Sequence, residues 1–308
     1  PSAFAVLERA VAGLYVGRLF QVDAQVSLGA ALLLILFGAF RGARATGGIT
    51  LLAMGVMICA ACHVYPHDVK TGTYFNEFLI IDQFTQFVKF MILIASTLVL
   101  GMSFNWLAIE THKKFEYPIL VLLSTLGLMI MVSANDLLAL YLGLELSSLA
   151  LYVLASYDRD NSVSSEAGIK YFVLGALSSG ILLFGISLVY GYTGTTNFSD
   201  MRELFASGGE ESQVAIAYGA IVGMVMLVVA MSFKISAVPF HMWTPDVYQG
   251  APTPVTMLFA TAPKIAAMAI FIRILMDPFA HLFPSWQNIL AIVAFASMAV
   301  GAFGALTQ

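Results

Sequence analysis

Long apolar runs alternate with short polar segments along most of the chain. Nine runs are long enough to cross a bilayer: residues 22–40, 47–66, 79–106, 117–134, 136–157, 164–192, 213–238, 252–276 and 286–307. A hydrocarbon core of about 30 Å needs about 20 helical residues. Lipid offers the backbone no hydrogen-bond partners, and the runs are too long and too uniformly apolar for barrel strands. The pattern therefore predicts an all-α polytopic membrane protein.

Composition narrows the class of function. Of 308 residues, 60% are hydrophobic and 10% are charged, whereas soluble domains carry about 25% charged residues. A net charge of −4 and the lack of a Lys/Arg-rich run argue against nucleic-acid binding. The sequence also has no GxGxxG fingerprint, no P-loop and no cluster-type cysteine set. We expect lipid as the solvent and no cofactor bound by this chain.

Basic residues favour one side of the predicted membrane. They follow the first, third and fifth spans, at Arg41, Arg44, Lys113, Lys114 and Arg159. The opposite loops hold Lys70 and Arg202 among acidic residues. By the positive-inside rule the first side is cytoplasmic, so the first span is expected to begin outside. Residues 1–21 stay unassigned, and the apolar end at GALTQ leads us to expect a fragment.

Three charged residues lie deep inside apolar runs: Glu145, Lys234 and Lys264. An ionised side chain at the bilayer centre costs about 2.5–3.5 kcal/mol even on the lenient insertion scale. At 1.5 Å per residue, Glu145 is about 14 Å and Lys264 about 18 Å into its span, too deep to reach the interface easily. Lys170 is shallower, and an interfacial anchor is an equal alternative for it. Such charges indicate proton or ion transport, with a structural ion pair as the other interpretation.

Two of the lysines lie beside helix breakers. Pro239 follows Lys234, and Pro263 directly precedes Lys264. Proline frees a backbone carbonyl, which membrane proteins tolerate where protein or trapped water satisfies it. The spacing predicts broken helices and a hydrated path, unless these are ordinary proline kinks. His241, in the segment after Pro239, is a candidate proton relay or a loop cap.

The sizes of two opposing effects, burial of a lysine and its attraction to a carboxylate, suggest how these charges act. Burial favours a neutral lysine, while a carboxylate about 4 Å away returns about 4 kcal/mol at an effective dielectric near 20. A lysine would therefore keep its proton beside Glu145 and release it otherwise. We hypothesise that Glu145 pairs with Lys234 in one state, and that Lys234 passes its proton to Lys264 in another.

The remaining polar residues in or near the spans have plainer interpretations. Cys59 and Cys62 form a CxxCH with the following histidine, which suits a redox pair, a metal site or haem attachment. Burial as small hydrophobic residues is favoured, because no further ligand cluster is present. Asp82 and Lys89, seven residues apart, suit a structural pair or interfacial anchors. Arg273 lies near the end of a span.

Two segments carry a family resemblance. ELSSLALYVLASYDRDNSVSSEAGIKYFVLGALSSG and PFHMWTPDVYQGAPTPVT resemble subunit N of the bacterial NADH:quinone oxidoreductases, the respiratory complex I family. The resemblance implies an antiporter-like helix bundle of about fourteen helices with two inverted five-helix repeats. Residues 22–106 would be the first three spans, 117–276 the first repeat, and 286–308 the start of the second. It also implies a bacterial inner membrane, in which the outside start of the first span expected from the basic residues would be periplasmic.

The resemblance further assigns roles to residues. The family's fifth-helix glutamate falls on Glu145 and its broken-helix lysine on Lys234, while two further lysines fall on Lys170 and Lys264. These would translocate protons, driven by FMN, iron–sulfur clusters and quinone in partner subunits of the membrane and hydrophilic arms. The chain would then be a translocase subunit without a redox centre of its own. Alternatives are a subunit of a multisubunit cation/proton antiporter, or a membrane scaffold that transports nothing.

Overall fold

The computed structural model describes residues 27–65, 71–109, 114–206 and 211–307. The helices are α1 (27–41), α2 (Thr46–Val64), α3 (Gln83–Met102), α4 (Phe104–Leu107), α5 (Glu116–Val132), α6 (Leu137–Ala155), α7 (Ser162–Thr193), α8 (Phe198–Ala206), α9 (Glu211–Ile235), α10 (Thr244–Gly250), α11 (Thr253–Ala260), α12 (Ala262–Met276) and α13 (Phe283–Thr307). Two short 3₁₀ turns lie at Gly42–Ala45 and Ala280–Leu282, and two strands form a hairpin, β1 (Gly72–Tyr74) and β2 (Leu79–Ile81). The predictions for residues 1–21, Lys70 and Lys113 lie outside the described residues.

The prediction of apolar membrane helices is confirmed. Within the described ranges, seven helical segments are long and apolar enough to cross a membrane. The first of them runs from Ser27 to Val64 through the 3₁₀ turn that joins α1 and α2. Helix α5, with 17 residues, is slightly shorter than the others but similarly apolar. Each predicted run therefore contains a helix, and the boundaries differ by a few residues.

The start of the predicted 79–106 span is wrong. Leu79–Ile81 forms β2, which pairs antiparallel with β1, and Ile80 N–H donates to the carbonyl of Ser133 at the end of α5. The helix begins only at Gln83, because Asp82 has an extended backbone and its carboxylate accepts from the Thr85 N–H at 2.6 Å. An acidic N-cap of this kind fixes a helix start. Apolar strand residues cannot be told from helix residues by hydropathy alone.

Glycines bring the central helices close together. A Cβ added to Gly143 on α6 would lie 2.5 Å from the backbone nitrogen of Met131 on α5. A Cβ on Gly185 of α7 would lie 2.9 Å from the carbonyl oxygen of Gly223 on α9. Small residues of this kind allow backbones to approach where lipid removes the hydrophobic drive between helices. The packing fixes α6, which carries Glu145, against α5, and α9, which carries Lys234, against α7.

The two cysteines are not core residues, contrary to the prediction. Cys59 and Cys62 are free thiols, exposed on the outer side of α2. Residues three apart share one side of a helix, and α2 buries the opposite side through Ile49 and Met57. Within the described ranges, no group of three metal-binding side chains is present.

Candidate functional site

The chain breaks directly after Lys234. Helix α9 ends at Ile235, Ser236 adopts a left-handed φ of 62°, and the Val238–Pro239 peptide bond is cis. The side chain of Thr244, at the start of α10, donates to the Ser236 hydroxyl at 2.7 Å. The predicted helix break near Pro239 is confirmed.

A second break lies directly before Lys264. Helix α11 ends at Ala260, and Thr261 has φ −115° and ψ −94°, which lie outside the helical region. Helix α12 then begins at Ala262, with Pro263 in its first turn, where the missing N–H is tolerated. The predicted interruption beside Lys264 is therefore confirmed, and it falls two residues before Pro263.

The two breaks bring the two lysines together. The Lys264 side-chain nitrogen donates to the backbone carbonyl oxygen of Lys234 at 3.2 Å and to the Ser236 hydroxyl. The Lys234 side-chain nitrogen donates to the Ser148 hydroxyl on α6 at 2.9 Å. Lys264 also lies over the ring of Trp243, 5.1 Å from its centroid. The Lys264 amine is thus held by hydroxyl, carbonyl and aromatic groups, and the Lys234 amine by a hydroxyl and the Tyr152 ring.

The helix ends act unequally on the two amines. Lys234 belongs to the last turn of α9, where the helix dipole stabilises a positive charge. Lys264 belongs to the first turn of α12, where the dipole opposes one. The two helix ends therefore place opposite fields at the two lysines.

The side chains of both lysines line one small cavity. It has about 30 Å³ of space for the centre of a water-sized sphere. Lys234, Lys264, Ser147, Ser148 and Trp243 are among its lining residues. A buried water needs about 10–15 Å³ by this measure and two to four polar partners. The cavity therefore accommodates about two waters beside the two lysines.

Glu145 is near the pair but does not bond to it. Its Oε1 is buried and has no hydrogen-bond partner among the described residues. The Lys234 nitrogen instead bonds to Ser148, one turn further along α6. The hypothesised direct contact is absent from this structure. Other buried polar atoms without a partner in the described ranges are Tyr152 Oη, Ser179 Oγ, Ser232 Oγ and His241 Nδ1.

Lys170 lies outside the cavity. Its side-chain nitrogen is 2.8 Å from a Glu166 oxygen and 2.5 Å from an Asp246 oxygen. The three side chains are exposed and line a polar depression between α7 and α10. The structure therefore brings Lys234 and Lys264 together, sets Glu145 close by, and separates Lys170 from them. His241 lies in the segment between α9 and α10.

An ion pair between distant parts of the chain was missed by the sequence interpretation. The Arg273 Nη2 atom on α12 lies 2.9 and 2.7 Å from the two carboxylate oxygens of Asp82, and 3.0 Å from the Thr85 hydroxyl. Arg273 is buried, and it also lies over the Phe84 ring. An arginine inside an apolar run was the available signal, but the sequence could not identify a partner 191 residues away. Ser148 and Trp243 were missed for the same reason.

The sequence has informative relatives. Residues 134–308 match the family model described as NADH:quinone oxidoreductase/Mrp antiporter, TM. A protein named NADH-quinone oxidoreductase subunit N from Paramagnetospirillum magneticum is 49% identical over 91% of this chain and 57% of its own length. One of the same name from Beijerinckia indica is 50% identical, with the same coverage. The chain thus spans 57% of the length of these relatives.

Solved structures share the fold. A chain of respiratory complex I from Thermus thermophilus with bound aureothin superposes with a TM-score of 0.74 at 29% identity, over 93% of this chain and 58% of that one. A chain of the Mrp complex from Dietzia sp. superposes with a TM-score of 0.76 at 22% identity, over 94% of this chain and 55% of that one. The second likeness concerns the fold alone.

Proposed function

This chain belongs to the NADH:quinone oxidoreductase/Mrp antiporter transmembrane family, and on that premise we propose that it translocates protons in the membrane arm of a respiratory NADH:quinone oxidoreductase. Relatives that are about half identical carry the name of subunit N of that enzyme, which agrees with the resemblance seen in the sequence. Its partners would be the other subunits of the membrane arm and those of the hydrophilic arm.

One observation carries the proposal: two lysines from separate broken helices flank a cavity large enough for water. A protonated Lys264 gives its proton to a water in the cavity while that water gives one to a neutral Lys234, or the reverse. No bond other than N–H and O–H forms or breaks. The unequal helix-end fields give the two nitrogens different proton affinities.

In this proposal, Glu145 controls how readily Lys234 holds its proton. A carboxylate close to a lysine favours the charged amine, and Glu145 lies one turn before Ser148, which bonds to Lys234. Any movement of charge near Glu145 would alter that preference. Moving one charge across about 100 mV costs about 2.3 kcal/mol. The redox chemistry of partner subunits, with FMN, iron–sulfur clusters and quinone, would supply this energy by changing the field at Glu145.

Lys170 and His241 are proposed as outer relay groups. Lys170 is exposed beside two carboxylates, a setting that suits proton collection at the membrane surface. His241 has a buried ring nitrogen in the broken segment between α9 and α10. We also propose that the chain lies in the inner membrane of a bacterium, with the start of its first span on the periplasmic side.

The test uses the complete enzyme in inverted membrane vesicles, with protons pumped per NADH oxidised as the readout. Lys234→Ala and Lys264→Ala should each lower this ratio at least severalfold, and Glu145→Gln should lower it as well. Lys114→Ala is the matched control, because Lys114 lies outside the spans against the Tyr157 ring. If both lysine variants pumped as many protons per NADH as the wild type, the lysine pair would be ruled out as the pathway.

The family also contains antiporter subunits, which gives a second candidate: cation/proton exchange without electron transfer. The same vesicles distinguish the two. If a sodium gradient alone, without NADH, drives proton movement that depends on Lys234, the exchange function is correct. If movement requires NADH oxidation, the respiratory function is correct. A scaffold that transports nothing predicts that neither variant alters the ratio.

A further inference from the structure

Trp243 contacts Lys264 and the residue that precedes Lys234. It lies at the start of α10, beyond the break in the chain, and is buried. Its indole N–H donates to the carbonyl of Phe233, the residue before Lys234, at 3.0 Å. The Lys264 nitrogen lies over its ring. We propose that Trp243 is a positioning residue that sets the geometry of Lys234 and holds the charge of Lys264; this inference rests on the proposed function.

The indole N–H fixes the end of α9. The carbonyl of Phe233 accepts from the Ser236 N–H at 3.1 Å and from the Trp243 indole at 3.0 Å. A carbonyl has two lone pairs, so both are used. Since Lys234 follows Phe233 directly, this bond sets the direction in which Lys234 leaves the last helical turn.

The ring itself is held by its neighbours. Tyr171 stacks on Trp243 with centroids 4.6 Å apart and an angle of 15°, and Phe233 stacks at 5.5 Å and 29°. The orientation of the indole is therefore fixed by packing, and the Lys264 ammonium meets the negative face of an immobilised ring. Such cation–π contacts are strongest for tryptophan and when the cation is removed from water.

The surroundings of Lys264 offer few other groups that could stabilise its charge besides the Trp243 indole. The Lys264 nitrogen donates to the Lys234 carbonyl at the end of α9, and the Lys234 side chain lines the same cavity. Tyr171 of α7 also lines this cavity, and Tyr248 of α10 packs against Trp243. Glu145 of α6 lies one turn before Ser148, which bonds to Lys234. Among the described residues no carboxylate lies within 4 Å of the Lys264 nitrogen, so its charge depends on dipoles and on the indole face.

The experiment changes the ring without changing its shape. Tryptophan carrying one, two or three fluorine atoms on its ring is placed at position 243 of the complete enzyme, and the pH profile of NADH-driven proton pumping is measured in vesicles. Each fluorine weakens the negative ring face, so the alkaline limb should move to lower pH in steps. The Trp243→Leu variant, which also loses the N–H bond, should move it by about one pH unit and lower pumping severalfold.

The chain offers a matched control in Trp286. It too is buried, and its indole N–H donates to a backbone carbonyl, that of Phe279, at 3.0 Å. No cation is described over its ring, so fluorination there should leave the profile unchanged. Equal shifts at positions 243 and 286, or no shift with fluorination at 243, overturn the inference. If Lys264→Ala pumps normally, the proposed function itself fails, which is a separate outcome.

Discussion

The side-chain nitrogen of Lys264 donates to the backbone carbonyl oxygen of Lys234, 3.2 Å away. That carbonyl belongs to the last turn of α9, whose final carbonyls have no partner within the helix. One lysine thus caps the helix that carries the other. The pair is joined through backbone and hydroxyl groups rather than by direct contact of like charges.

Ser148 should matter for proton transfer because it holds Lys234 at 2.9 Å. Ser148→Ala removes this acceptor, and a hydrogen bond to a charged group contributes about 1.5–3 kcal/mol. We expect proton pumping per NADH to fall severalfold, though less than in Lys234→Ala. Ser147→Ala is the control, since Ser147 lines the same cavity but its hydroxyl faces Ser124. Equal effects of the two substitutions would show that only the polarity of the cavity matters.

The pair of Arg273 and Asp82 should stabilise the fold. Arg273→Ala leaves a partly buried carboxylate without its cation. Breaking a fully buried pair costs about 3–5 kcal/mol, and the partial exposure of Asp82 lowers this figure. We expect a clearly lower thermal denaturation midpoint of the complete chain in detergent. Exchanging the two charges, with Asp82→Arg and Arg273→Asp, should recover part of the loss. A midpoint unchanged in Arg273→Ala would mean that water replaces the pair at no cost.

The same pair gives a dependence on pH. Burial raises the pKa of Asp82, but the Thr85 hydrogen bonds and the Arg273 guanidinium outweigh it and hold this pKa below its usual value. The ionised form is therefore favoured by folding. Its contribution is complete above about pH 4, the ordinary value of an aspartate, and is lost as the pH falls through the lowered pKa. The stability difference between the wild type and Asp82→Asn should be constant near neutral pH and shrink on strong acidification.

Lys170 should be far less sensitive than the central lysines. It is exposed and bonds to Asp246 and Glu166, so water screens these ion pairs and can replace them. Lys170→Met and Asp246→Asn should each change the pumping ratio about fivefold or less, because water can replace a relay group at the surface. A loss in Lys170→Met as large as that in Lys234→Ala would place Lys170 on the obligatory route.

Gly143 should tolerate no side chain. A Cβ there would lie 2.5 Å from the Met131 backbone nitrogen on α5, and overpacking costs about 1–3 kcal/mol. Gly143→Ala should reduce the amount of chain assembled in membranes and lower its denaturation midpoint. Gly180→Ala, where a Cβ meets nothing within 4 Å, is the control and should leave both unchanged. Similar losses in the two variants would contradict the close-packing argument.

The sequence by itself determined the membrane character, most of the helix positions, and Glu145, Lys234 and Lys264 as charges inside the spans. Hydropathy and charge are local properties, so the solvent that each segment needs can be read from its own residues. Pro239 and Pro263 likewise predicted both helix breaks, because the missing N–H and the fixed φ of proline are properties of a single residue.

Only the tertiary structure decided which groups meet. Ser148 rather than Glu145 bonds to Lys234, Trp243 lies against Lys264, and Arg273 reaches Asp82. Each of these contacts joins different helices, so it depends on how the helices cross and rotate, which no single segment encodes. The proton affinity of a buried amine is set by such neighbours, and for that reason the chemistry of the lysine pair came from packing while its location came from the sequence.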